Sequence, residues 1–515
     1  MSARLETGAG TALHRDILTT LLPGFAGTVA PDWLLRRLGD GLGGVCVFGP
    51  NIADAEQLRA LNASMRRANP LAVVAIDEEG GDVTRLFYDR GAPYPGNALL
   101  GRIDDVERTE LVARTVGEAL VATGCTVALG PDVDVNSNAD NPVIGVRSFG
   151  ADPQLAARHA AAWVRGVQAT GVAASAKHFP GHGDTATDSH LDLPVVDVSP
   201  EVLRERELVP FRAAIAAGAR TIMTSHILMP QLDAEEPATL SRPIIEGLLR
   251  AELGFEGVVV TDALDMRGAS GRHGIPEAAV RALVAGCDLL CIGSDNTDEQ
   301  VGEIVEAIRV AVESGRLPVR RVREAASRVR ALAADAPPVP AATATDAAIE
   351  PARHAGELSD IAAAFEVSDA AATRLATGGL GRIGTVVRVD TIANIAIGVA
   401  PWGPFAAAAA VPGERSWLDE ARVVSLAEHA PLAEPAALDG LVLVVGKDLH
   451  RHPFAVAAIE ALRAVRDDVV TVDMGWPSED RAHADIATFG ASRLVGAALL
   501  ELLAPRPVLA PAETT

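Results

Sequence analysis

Aromatic side chains are scarce: Phe, Trp and Tyr make up 3% of 515 residues, with only 2 tyrosines. Ala, Gly and Val are abundant instead, a balance that suits close-packed α/β layers better than a β-sandwich. Basic side chains are also in deficit, 45 against 68 acidic ones, for a formal charge of −23. A chain this acidic repels nucleic acid and anionic membrane surfaces, so neither is expected as a general partner. The four cysteines, Cys46, Cys125, Cys287 and Cys291, lie in apolar stretches. Their spacing matches no zinc pattern, and a disulfide framework would be odd in so large a chain, so they read as small buried hydrophobes. No apolar run is long enough to span a membrane, and residues 1–15 carry no apolar signal segment. Cytoplasmic localisation is the default expectation.

What is present is a well-mixed globular composition, 49% hydrophobic and 22% charged, in a chain long enough for two domains. Short β-branched runs are predicted as strands at 44–48, 72–76, 126–129, 172–176, 221–224, 257–261 and 289–292. Between them, segments such as 107–123 and 154–170 repeat apolar residues at helical spacing. Repeated β-then-α units argue for parallel strands with helices outside, and seven or eight of them make a TIM-type (β/α)8 barrel the leading candidate. A Pro-, Ala- and Thr-rich stretch follows, beginning at Ala336. Strand-like runs then recur at 385–389, 395–399, 440–445 and 469–474, with a helical pattern at 453–465. The expected organisation is a barrel at 1–335, a linker at 336–356, a smaller α/β sandwich domain at 357–504 and a tail at 505–515.

Barrel enzymes carry their chemistry at the carboxyl ends of the strands. Four predicted strand ends bear ionisable groups: Asp77-Glu78-Glu79, Lys177-His178, Ser225-His226 and Asp262. Residues 177–194 are dense in Gly, Asp, Ser and Thr and read as a mobile loop. His178 and His182 stand four apart, a zinc spacing on a helix, but Pro180, Gly181 and Gly183 forbid a regular helix there, so no metal is expected. In Asp188-Ser189-His190, a carboxylate two residues before an imidazole can fix its tautomer and make it a general acid/base. Asp262 ends an apolar strand, and two readings stand side by side: a helix N-cap or a catalytic carboxylate.

The block K-H-F-P-G-H-G-D-T-x-x-D-S-H-x-x-x-P resembles the signature of family 3 glycoside hydrolases, in the β-N-acetylglucosaminidase branch. Three further stretches resemble the same family: Asn141-Pro142-Val143-Ile144-Gly145-Val146-Arg147-Ser148-Phe149-Gly150, the run from Asp77 to Arg85, and the run from Leu253 to Met266. Together they cover most of residues 20–335. The resemblance implies Asp262 as nucleophile and His190, paired with Asp188, as acid/base. It implies that Asp77, Arg85, Arg147, Lys177 and His178 hold the sugar, a small-molecule N-acetylglucosamine glycoside, with no cofactor. Hydrolysis with retention of configuration is the implied reaction. An imidazole does not repel an anionic acceptor as a carboxylate does, so phosphorolysis to a sugar 1-phosphate is the rival. A non-catalytic sugar-binding protein is the rival from another class. The chain departs from the family pattern at Glu78 (usually Gln), Asp82 (usually Arg) and Asp132 (usually apolar), which puts details of substrate preference in question. Asp134 and His226 have two open readings, lining the pocket or supporting it.

Overall fold

The computed structural model describes residues 2–185, 193–341, 345–352, 356–376, 382–392, 396–410, 416–432 and 435–504, with Leu380 and Asn394. Eight parallel strands form the first unit: β1 (Leu21–Leu22), β2 (Gly44–Val47), β3 (Val73–Ile76), β4 (Val127–Ala128), β5 (Ala173–Phe179), β6 (Thr221–Thr224), β7 (Val258–Val260) and β8 (Leu290–Cys291). Strands β2 to β7 pair in sequence order, and β1 pairs with β8. A bridge from Val260 to Leu289 joins β7 to β8, and Cys46 N–H donates to Pro23 O between β2 and the end of β1, which closes the ring. Every residue of these strands is buried. That is why they read as continuous Val, Ile and Ala runs rather than as alternating ones.

Helices wrap the ring, and their ends are written in the sequence. Asp105 accepts from the N–H groups of Glu107 and Arg108 to cap Val106–Thr123, which stops at Gly124 in the left-handed region (φ 81°). Asp152 caps Pro153–Gln168 in the same way. Each such cap contributes about 1 kcal/mol. These two helices pack so closely that a Cβ on Gly166 would lie 2.2 Å from Glu110 O. All four cysteines are buried thiols, as expected of small apolar residues.

The second unit is a six-stranded sheet built from β9 (Glu366–Val367), β10 (Ile383–Val389), β11 (Arg422–Leu426), β12 (Leu441–Gly446), β13 (Val469–Asp473) and β14 (Ile486–Ala487). Its order is β11-β10-β12-β13-β14-β9, parallel except for β9. Val386, Leu443, Val445, Val470 and Val472 form its core with Leu494, Val495, Ala498 and Leu499 of the helix Arg493–Leu502. One strand expectation needs correction, and the strands β1, β9, β11 and β14 were not anticipated. The stretch at 395–399 is not a strand where it is described: Ile397 and Gly398 turn back onto Asn394 O. The strand β11 went unanticipated because it is a mostly exposed edge strand, with Arg422 and Val423 open to solvent.

Residues expected as linker are bonded to both units. Arg66 donates to Pro337 O, Asp346 accepts from Ala55 N–H, and Glu350 pairs with Arg493. Between the two units, Asp82 accepts from Ala491 N–H at 2.8 Å and Arg451 donates to Asn141 O at 3.0 Å. Leu99 of the barrel enters the core of the second unit. Among the described residues no helix is long and apolar enough to cross a membrane.

Candidate active site

A cavity of about 280 Å³ opens at the carboxyl ends of the barrel strands, and Asp77, Arg85, Arg147, Lys177, His178 and Asp262 all line it. Asp188 and His190 lie outside the described residues. Strand β5 continues through Lys177 and His178 to Phe179, three residues further than the sequence pattern suggested. Its register against β6 shifts between Ala176 and Phe179. An irregularity of this kind re-aims side chains, and here two successive residues, Lys177 and His178, both reach the cavity.

One wall is a buried ion-pair network. Arg147 makes a fork on Glu79, Nη2 to Oε1 at 2.8 Å and Nε to Oε2 at 3.0 Å. Lys177 Nζ lies 2.7 Å from Glu79 Oε1 and 2.8 Å from Asp77 Oδ1. Burial alone would raise the Glu79 carboxyl, but the charges of Arg147 and Lys177 outweigh it and hold the group well below the usual range. Lys177 is raised despite its burial, by Asp77 and Glu79. Arg85 completes the wall, with Nη2 3.7 Å from Asp77 Oδ2. Its guanidinium also donates to Ala396 O at 2.7 Å and Ile397 O at 3.3 Å, so the second unit holds a cavity residue in place.

His178 is oriented by two neighbours. Arg147 Nη2 approaches its Nε2 at 3.2 Å, and Asp134 Oδ2 lies 2.7 Å from its Nδ1. A guanidinium only donates, so Nε2 accepts, and the ring proton sits on Nδ1 and donates to Asp134. Asp134 also accepts from the N–H groups of His178 and His182. It is therefore a support behind the wall rather than part of the lining. The same holds for His226, whose ring contacts Thr239 Oγ1 and Ala263 O.

The departures from the family pattern sit off the cavity. Glu78 turns away from it and accepts from Thr84 Oγ1 and from the N–H groups of Arg85 and Leu86. It thereby shapes the turn that presents Arg85, and burial pushes its carboxyl up to about 7. Asp132 is fully buried, with Oδ2 3.6 Å from Arg147 Nε. Burial and the neighbouring Asp134 raise it well above the usual carboxylate range. Asp132, Asp134 and His178 bring three ligand-type atoms within 4.8 Å of one another. The His178 ring there is already committed to Arg147 and Asp134, which leaves it no lone pair for a cation.

Asp262 follows β7, and its Oδ1 accepts the N–H of Ala263 at 2.8 Å, which fixes the carboxylate plane. Sequence reasoning did not single out Glu79 for a role. It sits in the same strand-end block as Asp77, but only the fold shows that it bridges Arg147 and Lys177 from distant segments.

The family model of the glycosyl hydrolase family 3 N-terminal domain matches residues 12–332. The chain belongs to glycoside hydrolase family 3. It is similar to Beta-hexosaminidase A of Pseudoalteromonas piscicida, 38% identical over 271 residues. That match covers 48% of this chain and 45% of that protein, less than half its length. It is similar also to the Beta-hexosaminidase of Stenotrophomonas maltophilia, 37% identical over 282 residues, 53% of this chain and 82% of the other. Among solved structures, a family 3 beta-N-acetylglucosaminidase from Paenibacillus sp. superposes with a TM-score of 0.81 at 30% identity. The superposition covers 95% of this chain and 96% of that one, so the likeness extends over both units of the glycoside hydrolase.

Proposed function

We propose that the protein is a retaining β-N-acetylhexosaminidase that releases terminal β-linked N-acetylglucosamine. The observation that carries this reading is the placement of Asp262 in one cavity with Asp77, Arg85, Arg147, Lys177 and His178. The similarity to beta-hexosaminidases and to a beta-N-acetylglucosaminidase structure supports the choice of sugar. The cavity is near the lower end of ligand pockets, which start at about 300 Å³, and so suits a single terminal residue. A cytoplasmic protein, expected from the sequence, is part of the same reading.

In this mechanism the Asp262 carboxylate attacks the anomeric carbon and the glycosidic C–O bond breaks. His190, held by Asp188, gives its proton to the departing oxygen. In the second step His190 takes a proton from water, whose oxygen displaces Asp262. Asp77 accepts from sugar hydroxyls, while Arg85, Arg147 and Lys177 donate to hydroxyls or to the acetamide carbonyl. Glu79, with Asp77 beside Lys177 and Asp132 beside Arg147, holds these two cations in fixed positions.

The test is incubation of the purified protein with p-nitrophenyl N-acetyl-β-glucosaminide, with and without phosphate, followed by identification of the sugar. Free N-acetylglucosamine in both conditions is expected. A sugar 1-phosphate at a phosphate-dependent rate would move the assignment to a phosphorylase. Absence of turnover, together with saturable sugar binding, would replace the enzyme by a binding protein.

A further inference from the structure

The order β11-β10-β12-β13-β14 has a reversal built into it: the chain passes from β10 outward to β11, then returns to lay β12 on the other side of β10. In open parallel sheets such a reversal leaves a crevice beyond the carboxyl ends of the two central strands, where ligands bind. A cavity of about 120 Å³ occupies that place here. Thr391 follows β10, Lys447 and Asp448 follow β12, and Gly475 follows β13, while Arg451 and barrel residues 141–146 close the remaining sides.

The charges in this crevice are unequally committed. Asp448 Oδ1 accepts the N–H of Trp476 at 2.8 Å, and Asp82 Oδ1 accepts that of Ala491 at 2.8 Å. Burial raises the Asp82 carboxyl against the opposing pull of the nearby Lys447 charge. Arg451 spends Nη1 on Asn141 O. Lys447 stands 5.3 Å from the Trp402 ring, and among the described residues no hydrogen bond or ion pair to its ammonium is formed. An ammonium with three donors lining a crevice is suited to an anionic oxygen. The volume holds several waters, at about 10–15 Å³ of such space each, and is enough for a phosphate or a carboxylate group.

We propose that the crevice between β10 and β12 is a second ligand site, separate from the sugar cavity, in which Lys447 and Arg451 hold a small oxyanion of the phosphate or carboxylate type. Val143 lines both cavities, so a bound anion rests against the loop that carries Arg147 into the sugar site. This site does not depend on which glycoside is cleaved.

The test is calorimetric titration of the full chain with inorganic phosphate and, separately, with acetate, followed by crystals grown with the tighter of the two. Saturable binding is expected, weakened about tenfold or more by Lys447→Met or Lys447→Gln, the usual worth of a charge-assisted hydrogen bond. Electron density for the anion between Lys447 and Arg451 is expected in the crystal. Preference for phosphate or for acetate identifies which oxyanion the crevice takes. Failure of both anions to bind the wild type, binding indifferent to both Lys447 variants, or density on the Lys177–His178 wall each overturns the proposal. Both variants are expected to cleave the p-nitrophenyl glycoside at a rate within about twofold of wild type, since Lys447 lies outside the sugar cavity. Should the wild type cleave no glycoside, the proposed function falls while Lys447-dependent anion binding is still decided by the titration.

Discussion

Glu79 Oε1 and Lys177 Nζ meet at 2.7 Å, with each side chain only 3% exposed. One comes from the turn after β3 and the other from β5, and the same carboxylate also receives the fork of Arg147. A single acid thus sets the spacing of two cations in the sugar cavity.

Replacing it is therefore expected to damage both binding and stability. Glu79→Gln leaves two buried cations short of a counter-charge, and breaking a buried pair in this way costs about 3 kcal/mol or more. Thermal denaturation should show the loss, and KM for the p-nitrophenyl substrate should rise more steeply than kcat falls. A variant with unchanged melting temperature and KM would show that Glu79 does not organise the wall.

Asp262→Asn keeps the shape and the acceptor for Ala263 N–H but removes the proposed nucleophile. The expected loss in kcat is about four orders of magnitude, the scale seen when one member of a catalytic set is removed, with melting unchanged. Retention of more than about a tenth of the wild-type rate, outside that scale, would assign the nucleophile elsewhere.

Two buried carboxyls should act on the acid side of the stability profile in the sense opposite to ordinary ones. Glu78 and Glu207 are both pushed up to about 7 by burial. A carboxyl raised in the folded state binds its proton more tightly there than in the unfolded chain. Its contribution is complete below the unfolded value, about 4.3, and is lost as pH rises toward about 7. Glu79 and Asp134 are lowered and act in the reverse sense, losing their contributions only as pH falls through their depressed folded values. The Glu78 and Glu207 contributions to melting temperature should therefore slope upward on acidification from about pH 7 to about pH 5, while His182, lowered to about 4 by burial, opposes them below its unfolded value of about 6.5. Glu78→Gln should flatten that slope. A slope unchanged by this variant would mean that Glu78 ionises in the fold as it does in the unfolded chain.

The second unit is expected to matter for the sugar cavity through residues that touch no substrate. Asn394 donates to Pro142 O at 2.8 Å, and its Oδ1 accepts the N–H of Ala396, whose own carbonyl holds Arg85. Asn394→Ala removes about 1 kcal/mol of hydrogen bonding from this seam. KM should rise severalfold with kcat little changed, and Arg85→Met should mask the effect in the double variant. Additive effects of the two substitutions would separate Asn394 from Arg85.

Much of the barrel was legible because each strand is buried on both faces, so that its composition alone, Val-Val-Ala-Ile or Val-Val-Val, distinguishes it from the amphipathic helices between. Asp105 and Asp152 cap those helices where they begin. The cavity residues Asp77, Lys177 and His178 and the carboxylate Asp262 were legible for a related reason: a polar residue that ends an apolar strand points at the barrel mouth. The exposed edge strand β11 left no such pattern, and neither did the turn at Ile397, whose hydrophobic residues mimic a strand. The partnership of Glu79 with Lys177 and Arg147, the retreat of Glu78 and Asp134 behind the wall, and the grip of Ala396 on Arg85 were decided by tertiary structure alone. Local pattern reports which face a side chain takes on its own element. Which charges end up within 3 Å depends on how separate elements, here up to 311 residues apart, close around one cavity.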